Sequence, residues 1–500
     1  MNIALVLDMA ADGYGDRRLV GRQADGLTAG ELQTLSYGGA SAVTAAGAAA
    51  VLYLDANGPA FPAALFAAAR AGVPLVPLNY RLGSEQLRGL IARTPDAIAI
   101  ADPRFHPLLR EVGVPALTGQ QWLAESSSVT AAPVATPEDP GVAVIIYTSG
   151  TTSEPKGVLL RHHHLCSYVL GTVEFGSASA KDAALVSVPP YHVAGVANVI
   201  TNIYAGRRIV PLEQFGDREW LELVRAESIT HALVVPTMLA RIISRSEDIA
   251  VPSLRSLAYG GAAVPPGVIE RALGAWPDVA FVGAYGLTET SSTISILGPA
   301  EHRAALASSD PAVRARLASA GLPVPQVEIE IRDDAGAVLP DGATGRIWVR
   351  GDQVSGEYAG RRAQLDARGF FDTRDEGYLD VGGYLFIRGR SDDTIIRGGE
   401  NIAPAEIEDV LLQHAHIADA AVVGVPDAVW GQRLEAVVVA RTGHVVSPED
   451  VREFVRARLR HSKTPERVAV WTELPRTDTG KLIRRLVTSE LLRSTGRLPS

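Results

Sequence analysis

The chain predicts an α/β fold built on parallel sheets with covering helices. A strand–helix–strand rhythm runs over residues 27–90, and parallel strands need such crossovers. Short apolar β-branched segments end in glycine-bearing turns, as in Val142-Ala143-Val144-Ile145-Ile146, which reads as a buried strand. The chain has 500 residues, 47% apolar and 21% charged, a globular composition too long for one small core. Two or more domains are expected.

In order, Thr28-Ala29-Gly30-Glu31 has the spacing of a capping box and opens a helix through Leu32 and Leu35. Residues 49–55 read as a strand, 62–71 as a helix, and 73–79 as a second strand with its exit. Residues 121–140, rich in Ser, Ala, Thr and Pro, read as a surface linker. Val186-Ser187-Val188-Pro189-Pro190-Tyr191-His192 is an apolar strand that ends in an aromatic–histidine pair before a helix of small residues. Further strands run into Gly260-Gly261-Ala262 and into Gly283-Ala284-Tyr285-Gly286-Leu287-Thr288-Glu289. A β-rich stretch starts at Gly345. Beyond residue 394, strands at 420–425 and 434–440 alternate with helices at 404–408, 448–460 and 484–493.

The single cysteine, Cys166, excludes an internal disulfide and fits a reducing cytoplasm. No basic leader and no apolar run of about 18 residues is visible, so neither a signal peptide nor a membrane span is expected. Only four of the 47 basic residues are lysines: Lys156, Lys181, Lys463 and Lys481. Lysines kept against such a bias towards arginine are candidates for places that need a compact ammonium. Residues 451–500 carry 12 Lys/Arg against 5 Asp/Glu in a chain of net charge −9. A basic module on an acidic body points to an anionic partner. A nucleic-acid tail is the competing reading, but the segment lacks aromatic interleaving. His162-His163-His164 invites a metal reading, yet adjacent side chains on a helix diverge and make a poor ligand set.

The most informative stretch is Tyr147-Thr148-Ser149-Gly150-Thr151-Thr152-Ser153-Glu154-Pro155-Lys156-Gly157. Hydroxyls at 148, 149, 151, 152 and 153, free backbone N–H groups and the Lys156 ammonium suit a polyphosphate. It is not a Walker A motif, because Pro155 precedes the lysine and Gly157 follows it. A polar surface loop is the plain alternative.

This stretch resembles the phosphate loop of the adenylate-forming superfamily, which includes acyl- and aryl-CoA synthetases, peptide-synthetase adenylation domains and firefly luciferase. Ser153 stands where the family has glycine. The resemblance implies a large N-terminal domain of stacked αβαβα subdomains plus a β-rich subdomain (residues 1–389), a hinge (390–393) and a small mobile α+β domain (394–500). It implies that Thr148, Ser149, Gly150, Thr151, Thr152 and Lys156 hold the phosphates. Gly261, Ala262, Ala284, Tyr285 and Gly286 would surround adenine and the acyl group, with the Tyr285 face against the base. Thr288 would meet the α-phosphate, and Glu289 would ligate Mg²⁺. Asp375 and Arg390 match ribose contacts, with Arg374 replacing the family's glycine before the aspartate. His192 matches an element between the acyl pocket and the phosphates. Asp392 matches the hinge, Gly398 and Gly399 a passage for pantetheine, and Lys481 the catalytic lysine on its polar loop.

The resemblance thus implies an acyl-CoA synthetase. ATP and a carboxylic acid would give an acyl-adenylate and pyrophosphate, and coenzyme A would then take the acyl group. No acidic residue for a substrate amine is evident, which favours a plain carboxylic acid, whether bulky, aryl or drawn from secondary metabolism. Two alternatives stay open: loading of a carrier-protein pantetheine, and a non-catalytic nucleotide-binding homologue.

Overall fold

The computed structural model describes residues 1–128, 141–148, 155–245, 248–390, 393–397, 400–427, 430–459, 461–477 and 480–494. The fold is a large N-terminal α/β part with mixed sheets, followed by a smaller α+β part. In the six-stranded sheet, Ala97–Ala101, Ala50–Leu54, Leu75–Pro77 and Val142–Thr148 run parallel, and Lys156–Arg161 closes the edge antiparallel. In the nine-stranded sheet, Arg208–Pro211, Ala183–Val186, His231–Val234, Ser256–Gly260 and Ala280–Leu287 run parallel, and Ser292–Leu297 folds back antiparallel. The parallel strands expected from the strand–helix–strand rhythm form the body of both large sheets. Each large sheet carries an antiparallel hairpin; Thr148 and Lys156 close the described part of the first, and Thr288 and Glu289 lie in the turn of the second.

The capping box forms as the spacing predicts. Glu31 N donates to Thr28 Oγ1 at 3.1 Å, and Thr28 N donates to Glu31 Oε2 at 2.8 Å, opening the helix Ala29–Ala45. The apolar N-terminus forms a helix, Ala4–Tyr14, whose Ile3, Val6, Leu7 and Ala10 flank are fully buried. It packs into a core shared by Ala29–Ala45, Ala60–Ala71 and Val193–Ala205, which welds the two large sheets together. The other face of the nine-stranded sheet is closed by Trp220, Trp276 and Phe281.

The linker expected at 121–140 is corrected in its first part. Gly119–Ser128 is a helix, and Trp122 is fully buried against Gly39, where a Cβ would lie 2.6 Å from its ring. One tryptophan overrides the polar composition around it; residues 129–140 lie outside the described residues. The β-rich sheet also begins earlier than expected. Its order is Glu328–Arg332, Gly345–Arg350, Phe371–Leu379 and Leu385–Arg390, all antiparallel. The C-terminal part adds Arg467–Trp471, paired parallel to Gly431–Ala440, which the sequence reading did not assign. No helix among the described residues is long and apolar enough to cross a membrane.

Arg374 sits in the left-handed region at φ +61°, one residue before Asp375. That backbone explains why glycine is the family's residue there, since a Cβ in this region costs about 1–2 kcal/mol, against roughly 0.5–1 kcal/mol for the extra chain entropy of glycine. Arg374→Gly is expected to raise stability by up to about 1 kcal/mol. The urea-unfolding midpoint of the variant against the parent measures this.

Candidate active site

The site is built where the two hairpins and the β-rich sheet meet. Residues 355–359 form the stitch. Leu159 N donates to Glu357 O at 3.0 Å, Ala359 N donates to Gly157 O at 2.8 Å, and Ser355 N donates to Glu289 O at 2.8 Å. One extended segment therefore ties the Lys156 strand to the turn that carries Thr288 and Glu289. At the base of the first hairpin, Thr148 pairs with Lys156 across the antiparallel ladder, and both are half-buried.

Tyr285 lies on the strand Ala280–Leu287 itself, one residue after Ala284 and one before Gly286. Its hydroxyl donates to Asp375 Oδ2 at 2.6 Å. Arg390 Nε lies 3.4 Å from Asp375 Oδ1. The Asp375 carboxyl is buried, and burial raises its pKa; Arg390, the Tyr285 hydroxyl and Lys481 oppose that shift, while Glu289 adds to it. The same burial, with the Asp375 charge beside it, pushes the Tyr285 phenol far above its ordinary value. Glu289, in the short turn Thr288–Thr290, accepts from the Tyr358 hydroxyl at 2.8 Å through Oε1.

His192 occupies the cap position of the helix Val193–Ala205, its ring tilted at 49° to that of Tyr191 with centroids 4.7 Å apart. Gly261 follows the strand Ser256–Gly260 at φ +87°, the left-handed turn that carries the chain on to Ala262. Lys481 arrives from the C-terminal part. It keeps solvent access, yet the protein crowding its ammonium lowers its pKa; Arg390 adds to that, and Asp375, Asp393 and Glu289 oppose it. Its loop is seated on the large domain at Gly480, where a Cβ would lie 2.8 Å from Thr237 Oγ1.

The structure thus brings Tyr285, Glu289, Asp375, Arg390 and Lys481 into one electrostatic neighbourhood. Ser149, Gly150, Thr151, Thr152, Asp392, Gly398 and Gly399 lie outside the described residues. The three consecutive histidines do not converge. His162 Nδ1 accepts from Ile3 N at 3.2 Å, and His164 Nδ1 accepts from Arg161 N at 3.2 Å, both local structural roles. Among the described residues no group of three His, Cys, Asp or Glu could hold a metal ion. Tyr358 and Thr237 were missed in the sequence. Neither sits in a recognisable pattern, because their place depends on which distant segment pairs with the first hairpin and which helix receives Gly480.

Fold and site together define a nucleotide-binding α/β enzyme of two unequal parts. Residues 7–359 match the family described as AMP-binding enzyme, and residues 406–481 match the AMP-binding enzyme C-terminal domain. The chain is 34% identical to an indoleacetate–CoA ligase of Aromatoleum aromaticum over 90% of its own length and 91% of the relative's. It is 33% identical to the fatty acid–[acyl-carrier-protein] ligase ScoC of Streptomyces coeruleorubidus, over 89% and 88%. The o-succinylbenzoate CoA synthetase MenE of Bacillus subtilis, solved with its acyl-adenylate, superposes with a TM-score of 0.84 at 27% identity, covering 96% of this chain and 97% of that one. The chain belongs to the AMP-binding enzyme family, the adenylate-forming superfamily, and is an ATP-dependent acid–thiol ligase of the acyl- and aryl-CoA synthetase type.

The raised carboxyl pKa of Asp375 has a stability consequence. Its ionised form is disfavoured in the fold, so the cost is present above the folded pKa and is relieved as pH falls through it towards the unfolded value. Asp375→Asn is expected to raise the thermal midpoint of the ligand-free protein near pH 7.5, with the difference shrinking as pH is lowered. Thermal unfolding of both proteins across pH measures it.

Proposed function

We propose that this chain activates a carboxylic acid with ATP as an acyl-adenylate and then passes the acyl group to the thiol of coenzyme A. The observation that carries the reading is the placement of Lys481. An ammonium from the C-terminal part stands in the field of Asp375, Arg390 and Glu289, which come from three separate segments of the large part. In this reading Asp375 and Arg390 take the two ribose hydroxyls, Tyr285 lies along the base, and Thr288 donates to the α-phosphate. The carboxylate attacks the α-phosphorus, pyrophosphate leaves, and Lys481 stabilises the charge that develops there. Losing such a contact typically costs about 10²–10³-fold in rate. His192 and the Gly261-Ala262 turn border the acid and help to exclude water from it.

Glu289 is the residue that would hold Mg²⁺. Magnesium on a polyphosphate draws only one or two carboxylates from the protein, and a single half-buried glutamate suits that need. When bound, the ion supplies charge neutralisation at the phosphate oxygens.

The residues at 390–393 act as the hinge between a 1–389 domain and a 394–500 domain. Rotation about Asp392 withdraws Lys481 and brings Gly398-Gly399 beside the entering thiol, so one acyl pocket serves both steps. Free coenzyme A is preferred to a carrier-protein pantetheine because the wider set of relatives includes CoA ligases for indoleacetate, ferulate and 2-succinylbenzoate. The carrier-protein reading rests on the ScoC relative, and assays with free CoA against holo-carrier protein separate the two. A role for a bulky, aryl or secondary-metabolite acid belongs to the same reading.

The half-reactions test the assignment. Lys481→Ala is expected to lose acid-dependent pyrophosphate release by at least about 10²-fold while retaining thioester formation from supplied acyl-AMP. Equal loss in both steps refutes the role given to Lys481. Asp392→Pro is expected to do the reverse, and an unimpaired second step counts against the hinge. Because the Lys481 pKa is lowered, the ammonium is lost at lower pH than a free lysine would lose it. The adenylation rate should therefore fall on the alkaline side before the ordinary lysine range is reached, and Lys481→Arg should remove that limb.

A further inference from the structure

One face of the nine-stranded sheet departs from the burial expected of parallel strands covered on both sides. Side chains alternate between faces along each strand. In Ser256–Gly260, Leu257 and Tyr259 are buried in the Trp220–Trp276 core. Their alternates Ser256, Ala258 and Gly260 are only half-buried, as are the residues in register with them on the flanking strands, His231 beside Ser256 among them.

The helix Val193–Ala205 covers this same face further along the sheet, where Val186 and Ile209 share a core with its Val196, Val199 and Ile203. After its first residue, its half-buried positions are Ala194, Asn198 and Thr201, one stripe at i, i+4 and i+7. A half-open floor, with the small residues Ser256, Ala258 and Gly260 along its central strand, and a half-open helical stripe on the same face of the sheet together outline a groove. Its upper end lies at Gly260, Ala284 and His192, by the proposed reacting centre.

The lower end differs in chemistry. Arg207 follows the helix after its cap residue Gly206. Strand alternation turns Arg208 away to Glu227 and Arg207 towards the helix, where its Nη1 donates to Asn202 Oδ1 at 2.8 Å. Its Nε is buried without an acceptor, and among the described residues no carboxylate pairs with it. Thr201 Oγ1 on the helical stripe is also buried without a partner. His231 stands within range of the Arg207 charge, its Nδ1 2.8 Å from Thr230 Oγ1. Burial, with Arg207 adding to it, pushes the His231 imidazole down to about 4, so no second cation competes there at neutral pH. Arg207 as a whole is half-buried; a guanidinium partly withdrawn from water is costly unless it is paired, and the helix C-terminus offsets only part of that cost.

We infer that Arg207 is a specificity residue that receives a second carboxylate, carried at the distal end of the acid that fills this groove. The inference rests on the proposed acid-activating function and names the substrate class within it: a linear acid with an anionic far end. Four residue steps lead from Ser256 to Gly260, about 13 Å at the parallel-strand rise. That is the reach of an extended chain of roughly ten carbons. The reacting carboxylate lies at the top, apolar carbons pass Ala258 and Ala194, and the distal carboxylate meets Arg207 and Thr201.

The test compares pyrophosphate release from decanoic and decanedioic acids by the wild-type enzyme, Arg207→Met and Arg207→Lys, with calorimetric titration of both acids on the same proteins. Expected is a wild-type kcat/KM at least tenfold higher for the diacid, carried by KM, abolished in Arg207→Met and partly kept in Arg207→Lys. A wild type that shows no preference for the diacid, or the same ratio in all three proteins, overturns the inference and leaves the acid-activating function standing. Pyrophosphate from no acid at all overturns the function instead. Tighter calorimetric binding of the diacid, lost in Arg207→Met, then still supports the distal site, and equal binding of the two acids overturns it. Should Arg207→Met not fold, the wild-type preference and Arg207→Lys decide the matter.

Discussion

A single buried carboxylate, Asp375, is the point on which this structure turns. It lies on the β-rich sheet, accepts the Tyr285 hydroxyl from the nine-stranded sheet, and faces Arg390 at the end of the strand Leu385–Arg390. Lys481, from the far end of the sequence, adds its field to the same group. An isolated charge there would be untenable, and the surrounding donors keep its ionised form within reach. The sheets cannot slide past one another without uncovering that charge. The same burial that makes a rigid hydroxyl-accepting group also makes it a stability cost in the empty enzyme, the usual exchange of stability for a preorganised site.

The stitch at residues 355–359 gives the second constraint. Backbone hydrogen bonds from this segment fix the Lys156 strand and the Glu289 turn to one another. Glu289 is further held by Tyr358 from the same segment. The spacing between the Lys156 hairpin and the Glu289 carboxylate, for which phosphate and Mg²⁺ roles are proposed, is thus set by main-chain geometry, not by side chains that could drift. The proposed acid groove is set in another way: Ala258 and Ala284 present only methyl groups, and Gly260 lies where a Cβ would run into Ala284 O.

Much of this was legible in the sequence because the motifs are local. The capping box at Thr28, the strand at 50–54 and the strand leading to Tyr285 each announce themselves in a few residues. What stayed hidden depended on distant partners. The polar tract at 121–128 reads as linker until Trp122 meets Gly39. The strand Glu328–Arg332 alternates charge with isoleucine and gains its identity only by pairing with Gly345–Arg350. Tyr358 reaches Glu289 only after its segment has joined a strand some two hundred residues earlier. Arg207 looks like one more arginine in an arginine-rich chain. That no carboxylate among the described residues pairs with it is a property of the folded surroundings alone.

Gly480 lets two bodies touch at a place where no side chain fits. It lies at φ +78°, hard against Thr237, and its neighbour is Lys481. A methyl group added there would act as a shim under the tail. Each half of the molecule would keep its own fold, yet the ammonium would stop short of its station by the thickness of that wedge.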